Sequence, residues 1–471
     1  MFNIPAIAVM RKKLSISFYI LMIVVFGFII YAIISKGNAL DTTTSSSPHN
    51  NTDFFKDLFH VSTMQPLPVL LLQVIVIIVF VRLFGFVLKK AGQPAVIGEI
   101  IAGIVLGPSV LGIILPGISA FIFPVNSLGN LQFLSQVGLI LFMFIIGLEL
   151  DLNLIRKQAT GAIIISHASI IIPYALGMTL ALFMYRSFAP PGISFLSFAL
   201  FMGIAMSITA FPVLARIIQE RKLTKTKLGV MALTCAAADD ITAWCILAAL
   251  IGIVNAGTPL SALYTICLLI LYVLVMMLIA RPLLKNILLR YNKNKVAGKS
   301  MIAIVFMVML LSAYITEVIG IHALFGAFLA GVIMPNEFDF RRTLIHKIED
   351  ISMVLLLPLF FVFTGLRTQL SLLNESSLWI TFIWIVVAAV AGKFGGSAIA
   401  AKVVGQSWKE SLSIGALMNT RGLMELVVLN IGYDLGILSP QVFAMMVLMA
   451  LVTTLLTNPT LNLINRLFKE N

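Results

Sequence analysis

Hydrophobic positions along the chain fall into long runs separated by short polar segments, and most runs are too long for strands or for the buried helices of a soluble domain. Fourteen can be marked, at about 14–35, 66–90, 94–112, 130–150, 158–185, 193–220, 228–254, 259–290, 299–318, 320–335, 349–369, 378–402, 410–432 and 440–466. A helix rises 1.5 Å per residue, so about 20 apolar residues cross a ~30 Å hydrocarbon core. The run at 320–335 is short and reads as broken or tilted. The pattern predicts an all-α polytopic membrane protein with about 13–14 transmembrane helices.

Threading the runs alternately, with Arg11-Lys12-Lys13 inside, sorts the basic residues. Of 32 Lys and Arg, only Lys36, Lys56, Arg186 and Arg367 fall outside, Lys393 and Arg421 lie within spans, and the rest sit at cytoplasmic ends or loops. This is the positive-inside distribution and places both termini in the cytoplasm if the first helix is retained. The expected location is the cell membrane, multi-pass, in a bacterial inner membrane. Residues 1–36 read as an N-terminal anchor helix; a signal sequence is the other reading, disfavoured because the apolar stretch exceeds an ordinary signal core. The Ser/Thr/Asn-rich stretch 37–65 reads as an external linker. With no soluble domain after the last span, nucleotide-sensing regulation is expected to need another chain.

Composition changes this picture little. The chain is 60% hydrophobic and 11% charged. Its net charge of +13 comes from residues at span ends, so it argues for topology and against a nucleic-acid partner. Cys235, Cys245 and Cys267 all lie in apolar runs and are expected as reduced thiols, with no metal cluster and no cofactor.

An internal repeat is visible. Gly98-Glu-Ile-Ile-Ala102-Gly103 is similar to Gly326-Ala-Phe-Leu-Ala330-Gly331, and Leu141-Phe-Met-Phe-Ile-Ile-Gly147-Leu148 to Leu359-Phe-Phe-Val-Phe-Thr-Gly365-Leu366. Members of each pair run in opposite directions through the membrane. Inverted repeats with a site near the midplane are the architecture of secondary transporters.

The candidate chemistry lies at that midplane. Asp239 and Asp240 sit in an apolar run, roughly 17 Å from its basic end. Each charge there costs on the order of 2.5–3.5 kcal/mol on insertion scales. Lys393 and Arg421 fall at similar depth, as does Ser207-Ile-Thr209-Ala-Phe-Pro212. Pro212 removes a helical hydrogen bond, which predicts an unwound segment whose freed groups Ser207 and Thr209 re-satisfy, a simple kink being the alternative. Asn419, Arg421 and Glu425 form the matching feature in the other half of the repeat, with Arg421 and Glu425 expected to offset the ends of two broken helices. Adjacent aspartates point about 100° apart on a helix, so one is expected to pair with Lys393 while the other faces a cavity. Glu99, the cluster Glu149, Asp151, Arg156 and Lys157, the turn residues Glu317 and His322, and His167 are weaker candidates, read as solvated, inert or packing groups.

At Ala238-Asp239-Asp240, Thr209-Ala-Phe-Pro-Val-Leu-Ala-Arg216, Gly392-Lys393 and Asn419-Thr-Arg-Gly-Leu-Met-Glu-Leu-Val-Val-Leu-Asn430, the chain resembles the monovalent cation/proton antiporters of the sodium/proton exchanger superfamily. It looks most like the branch with Kef-type, plant CHX-type and NapA-like members. The resemblance implies an inverted-repeat antiporter fold with two broken, crossing helices. It implies a scaffold and dimer domain at 66–152 and 297–371, a mobile core at 155–256 and 374–471, a linker helix within 257–296, and a homodimer. It further implies Asp240 as principal cation and proton ligand, Asp239 as a second ligand and ion-pair partner of Lys393, and electrogenic transport. The implied activity is exchange of Na+ for H+, with K+/H+ exchange the alternative. An ion channel and a membrane-embedded transferase are the readings from other classes. The transferase is disfavoured because the loops are short and chemically bare, so no enzyme activity is expected.

Overall fold

The computed structural model describes residues 4–37, 66–149, 159–223, 226–256, 259–291, 299–320, 322–335 and 338–468. The proposed external linker and the loop carrying Asp151, Arg156 and Lys157 lie outside the described residues. Among the described residues the chain is helical, with twelve helices long and apolar enough to cross a membrane. Two shorter apolar helices, Phe195–Ser207 and Ala323–Ile333, account for the remaining two runs. The first is short because its span is interrupted, as the Pro212 segment predicts.

The helices are α1 (Ile4–Gly37), α2 (Pro66–Lys90), α3 (Ala95–Leu106), α4 (Val125–Glu149), α5 (Ala159–Phe188), α6 (Phe195–Ser207), α7 (Phe211–Glu220) and α8 (Lys227–Ala256). They continue with α9 (Pro259–Val275), α10 (Arg281–Tyr291), α11 (Lys299–Val318), α12 (Ala323–Ile333), α13 (Phe338–Ile351) and α14 (Leu357–Arg367). The last five are α15 (Ser376–Val390), α16 (Gly396–Val403), α17 (Trp408–Met418), α18 (Leu423–Asp434) and α19 (Pro440–Leu467). Several starts carry their own signals. Ser194 and Ser439 accept the N–H of the residue three further on, and Ser407 with Glu410 forms a reciprocal capping box. These side chains satisfy amide donors that a helix start leaves unpaired.

Contacts divide the helices into two groups. In one, α2, α3, α4, α11, α12 and α14 pack on one another; in the other, α5, α6, α7, α8 and α15–α19 do so. α1 packs on α5 and α6, with Tyr19 edge-on to His167 at 5.4 Å between ring centres. His167 is thus a packing residue. Glu317 and His322 are caps: Glu317 accepts the Ala323 N–H at 2.7 Å, and His322 Nδ1 accepts that of Leu324 at 3.4 Å.

The repeat glycines explain why the first group is so tightly built. A Cβ on Gly103 would lie 2.6 Å from the Val362 carbonyl oxygen, and one on Gly365 would lie 2.6 Å from Gly103 Cα. Gly147 and Gly331 close on each other's helices in the same way. So α3 crosses α14 at Gly103 and Gly365, while α4 crosses α12 at Gly147 and Gly331. Exchanging each glycine for its repeat counterpart turns one crossing into the other. Without a hydrophobic force between helices in lipid, such backbone approach supplies the packing. We expect Gly103→Ala and Gly331→Ala each to lower the thermal midpoint of the purified protein, since overpacking a tight contact costs about 1–3 kcal/mol. Gly129→Ala, on α4 with nothing within 4 Å, should leave it unchanged or raise it.

Candidate functional site

Two interrupted helices meet inside the second group. The first break runs Ile208–Ala210, between α6 and α7, with Pro212 in the first turn of α7. The second runs Asn419–Gly422, between α17 and α18. Backbone joins them: Ala210 N–H donates to Thr420 O at 3.1 Å. Gly422 permits the approach, because a Cβ there would lie 2.8 Å from Val213 Cγ2.

Breaking a helix strands the carbonyls of its last turn. At the end of α6 buried cations take them up. Arg421 Nη1 donates to Ala205 O at 3.1 Å and Nη2 to Met206 O at 2.7 Å, and Lys393 Nζ donates to Ser207 O. Glu425 sits in the first turn of α18 with Oε1 3.1 Å from Arg421 Nη1, both side chains fully buried. Positive charge at a helix C-terminus and negative charge at an N-terminus each oppose the local dipole. Thr454 Oγ1 completes the arrangement by accepting the Arg421 N–H at 3.1 Å and donating to Arg421 O at 2.7 Å.

Asp239 is fully buried and fully engaged. Oδ1 accepts from Ser166 Oγ at 2.6 Å; Oδ2 accepts from Ser169 Oγ at 2.5 Å and Thr209 Oγ1 at 2.6 Å, with Lys393 Nζ at 3.4 Å. Lys393 also donates to Ser169 O at 3.1 Å. An ammonium has three donors, and here each has an oxygen. Lys393 lies in a π-helical turn, Ala391–Gly395, between α15 and α16. Gly392 brings that turn against Pro173, whose Cα would lie 2.9 Å from an added Cβ.

Asp240 differs from its neighbour. It is 3% exposed, and Oδ1 has no hydrogen-bond partner. Asn419 Oδ1, at the second break, is likewise buried without a partner. Unsatisfied buried oxygens are costly, and these are hard ligands of the type alkali cations accept.

The family profile described as "Sodium/hydrogen exchanger, transmembrane" matches residues 75–464. The chain belongs to this family. It is 43% identical over 391 residues to a protein named Na(+)/H(+) antiporter NhaS4 from Synechocystis, covering 83% of this chain and 95% of that protein. It is 34% identical over 415 residues to K(+)/H(+) antiporter 1 of Saccharomyces cerevisiae, covering 86% of this chain but 47% of that one. The chain thus spans about half the length of the yeast relative. The solved structure of the sodium proton antiporter MjNhaP1 from Methanocaldococcus jannaschii superposes with a TM-score of 0.62 at 14% identity, over 83% of this chain and 96% of that one. The exchanger fold is therefore shared, with the two broken, crossing helices in place.

In this exchanger the expected site residues come together: Asp239 with Lys393, Arg421 with Glu425, and Thr209 and Asn419 at the two breaks. One of the two hydroxyls acts differently from expectation. Thr209 does not mainly re-satisfy freed backbone; it donates to Asp239, with a longer contact of 3.4 Å to Met418 O. Ser207 Oγ does serve backbone, donating to Gly203 O at 2.7 Å and Ile170 O at 3.0 Å. Ser166 and Ser169 were missed. Their i, i+3 spacing on an otherwise apolar span was the available signal.

A cleft of about 540 Å³ opens between the two helix groups at the end of the molecule where α2 finishes in Lys89 and Lys90. Arg82, Lys89, Glu99 and Phe142 line it from the first group. Val213 and Leu423, the first-turn residues after the two breaks, line it from the second. At the opposite end, the corresponding space is about 30 Å³.

Proposed function

We propose that this protein exchanges a monovalent cation, Na+ in the first instance, for protons by alternating access, with Asp240 as the ligand both compete for. The observation that carries this is the buried Asp240 oxygen without a partner, next in sequence to Asp239, which accepts from Thr209 at the first break. A carboxylate there can be neutralised by one dehydrated cation or by a proton, and not by both. Competition for one site that faces the two sides of the membrane in turn is antiport. Asp239 and Lys393 cancel each other's charge, as do Arg421 and Glu425, which leaves Asp240 as the uncompensated charge of the centre.

The names of the Synechocystis and archaeal antiporters support sodium; that of the yeast relative supports potassium as the second reading. The first helix group serves as a scaffold through which two copies pair, and the second moves past it as the transport core. The basic residues at the Lys89–Lys90 end favour that end as cytoplasmic, so the cleft is the inward-open pathway. Transport is electrogenic, two protons against one cation, with the second proton carried by the Asp239–Lys393 pair.

Purified protein in liposomes loaded with a pH-sensitive dye tests this. Under an imposed proton gradient, added Na+ and Li+ should dissipate the dye signal at lower concentration than K+. A response to K+ alone would move the assignment to potassium. No response to any of the three would remove the antiport reading.

A further inference from the structure

The far end of the exchanger, where the space between the helix groups is about 30 Å³, is closed by a polar cluster that the ion site does not use. Arg367 ends α14 in the first helix group. Its Nη2 donates to Asp434 Oδ1 at 2.5 Å and its Nη1 to Asn430 Oδ1 at 3.1 Å, both on α18 in the second group. The guanidinium lies over Phe363, one turn back on its own helix, at 4.7 Å, and over Tyr433 across the gap at 5.0 Å. Gln132 of α4 reaches the other carboxylate oxygen, Nε2 to Asp434 Oδ2 at 3.2 Å. Asn430 donates to Thr364 Oγ1 at 2.8 Å. Each of these contacts, except that to Phe363, joins the first group to the second. At the cleft end the corresponding bridge is neutral: Asn458 Nδ2 to Gly92 O at 3.0 Å.

We propose that Arg367, Asp434, Asn430 and Gln132 form a latch that holds the far entrance shut while the cleft is open, and that transport requires it to break on every cycle. The inference rests on the alternating-access reading above. Its logic is geometric. Asp240 can reach the far side only if α18 moves relative to α14 and α4, and these hydrogen bonds span that boundary. A planar guanidinium fork gripping two acceptors, held between two rings, fixes a position better than a flexible ammonium does. Side-chain exposure of 13% for Arg367 and 36% for Asp434 keeps the pair weak enough to release, since solvent-exposed pairs are worth little. Arg367 is thus a positioning residue, acting through which side is open.

The test is cysteine accessibility in the full chain in lipid nanodiscs, where both ends meet solvent. Cys235, Cys245 and Cys267 are replaced, and Ser135→Cys (1% exposed, lining the closed space) or Val96→Cys (lining the cleft) is introduced as reporter. Arg367→Gln and Asp434→Asn should each speed maleimide labelling of the far reporter and slow that of the cleft reporter. The ratio of the two rates should shift about tenfold, which equals about 1.4 kcal/mol. The double variant should add little to either single one, because both remove the same latch, and Arg367→Lys should fall between. A change in thermal midpoint with no change in the ratio would mean a purely structural pair, and would overturn the latch. Should Arg367→Gln fail to fold, Asp434→Asn decides alone. If, in the parent, the two rates rise and fall together as Na+ and pH are varied, alternating access itself fails, whatever the latch variants do.

Discussion

Asp240→Asn is expected to bring cation-driven proton flux down to that of empty liposomes, for Na+, Li+ and K+ alike, while the protein inserts and folds as before. Asparagine is nearly the shape of aspartate but carries no charge and binds no proton in this range. Either property alone would cripple an exchanger built on competition for one carboxylate. Folding should survive because Asp240 is not the partner of Lys393; that role falls to Asp239, 3.4 Å from the ammonium. Its Oδ1 makes no hydrogen bond to lose, so removing a costly buried charge should leave stability unchanged or raise it. Flux and thermal midpoint in the same preparation provide the check. Measurable exchange in a well-folded Asp240→Asn protein would refute the assignment, and Asp239 and Glu425, the other buried carboxylates of the centre, would have to be tried in its place.

The second large effect belongs to Lys393→Gln. This change leaves Asp239 buried with three hydroxyls but no counter-charge, and takes a donor from the carbonyls of Ser169 and Ser207. Removing one partner of a buried pair typically costs about 3–5 kcal/mol, and a large fall in thermal midpoint is expected. Asp239→Asn combined with Lys393→Gln should recover much of it, because neither charge then stands alone. Transport should change in kind as well as amount. If Asp239 escapes the penalty by holding a proton throughout the cycle, one of two protons is lost from the exchange. The remaining one-for-one exchange should no longer respond to a valinomycin-clamped potential, where one net charge per cycle is worth about 2.3 kcal/mol per 100 mV. A Lys393→Gln variant matching the parent in both stability and voltage response would contradict the pairing as a functional unit.

Much of this site was legible in the sequence, and the reasons are physical. Charge inside an apolar run is so expensive that Asp239, Asp240, Lys393 and Arg421 had to be near one another or near water. Helix rise alone set them at one depth. The two breaks were legible to different degrees: Pro212 marks the first directly, whereas the second follows only from the repeat and the polar residues Asn419, Arg421 and Glu425. What could not be read is what depends on rotation about helix axes. Ser166 and Ser169 were visible as two serines on one face of a span, but nothing local says that the face meets Asp239. The Arg367 fork joins residues more than sixty positions apart, and although Arg367 is one of four basic residues placed outside, nothing near it in sequence names its partner. The π-helical turn at Lys393 has no sequence signal stronger than its flanking glycines.

The stitching of the two breaks has a consequence for the direction of transport. Ala210 is bonded to Thr420, Thr209 touches both Asp239 and Met418, and Arg421 holds the end of α6. The groups proposed to hold the ion therefore rest on one cross-braced body, and on the alternating-access proposal they would not separate when the protein changes sides. A site carried whole through the membrane offers the cation the same coordination at departure and at arrival. Its intrinsic affinity is then equal on the two faces, the cycle has no built-in forward sense, and the same molecule should run as readily in reverse whenever the ion gradients are inverted.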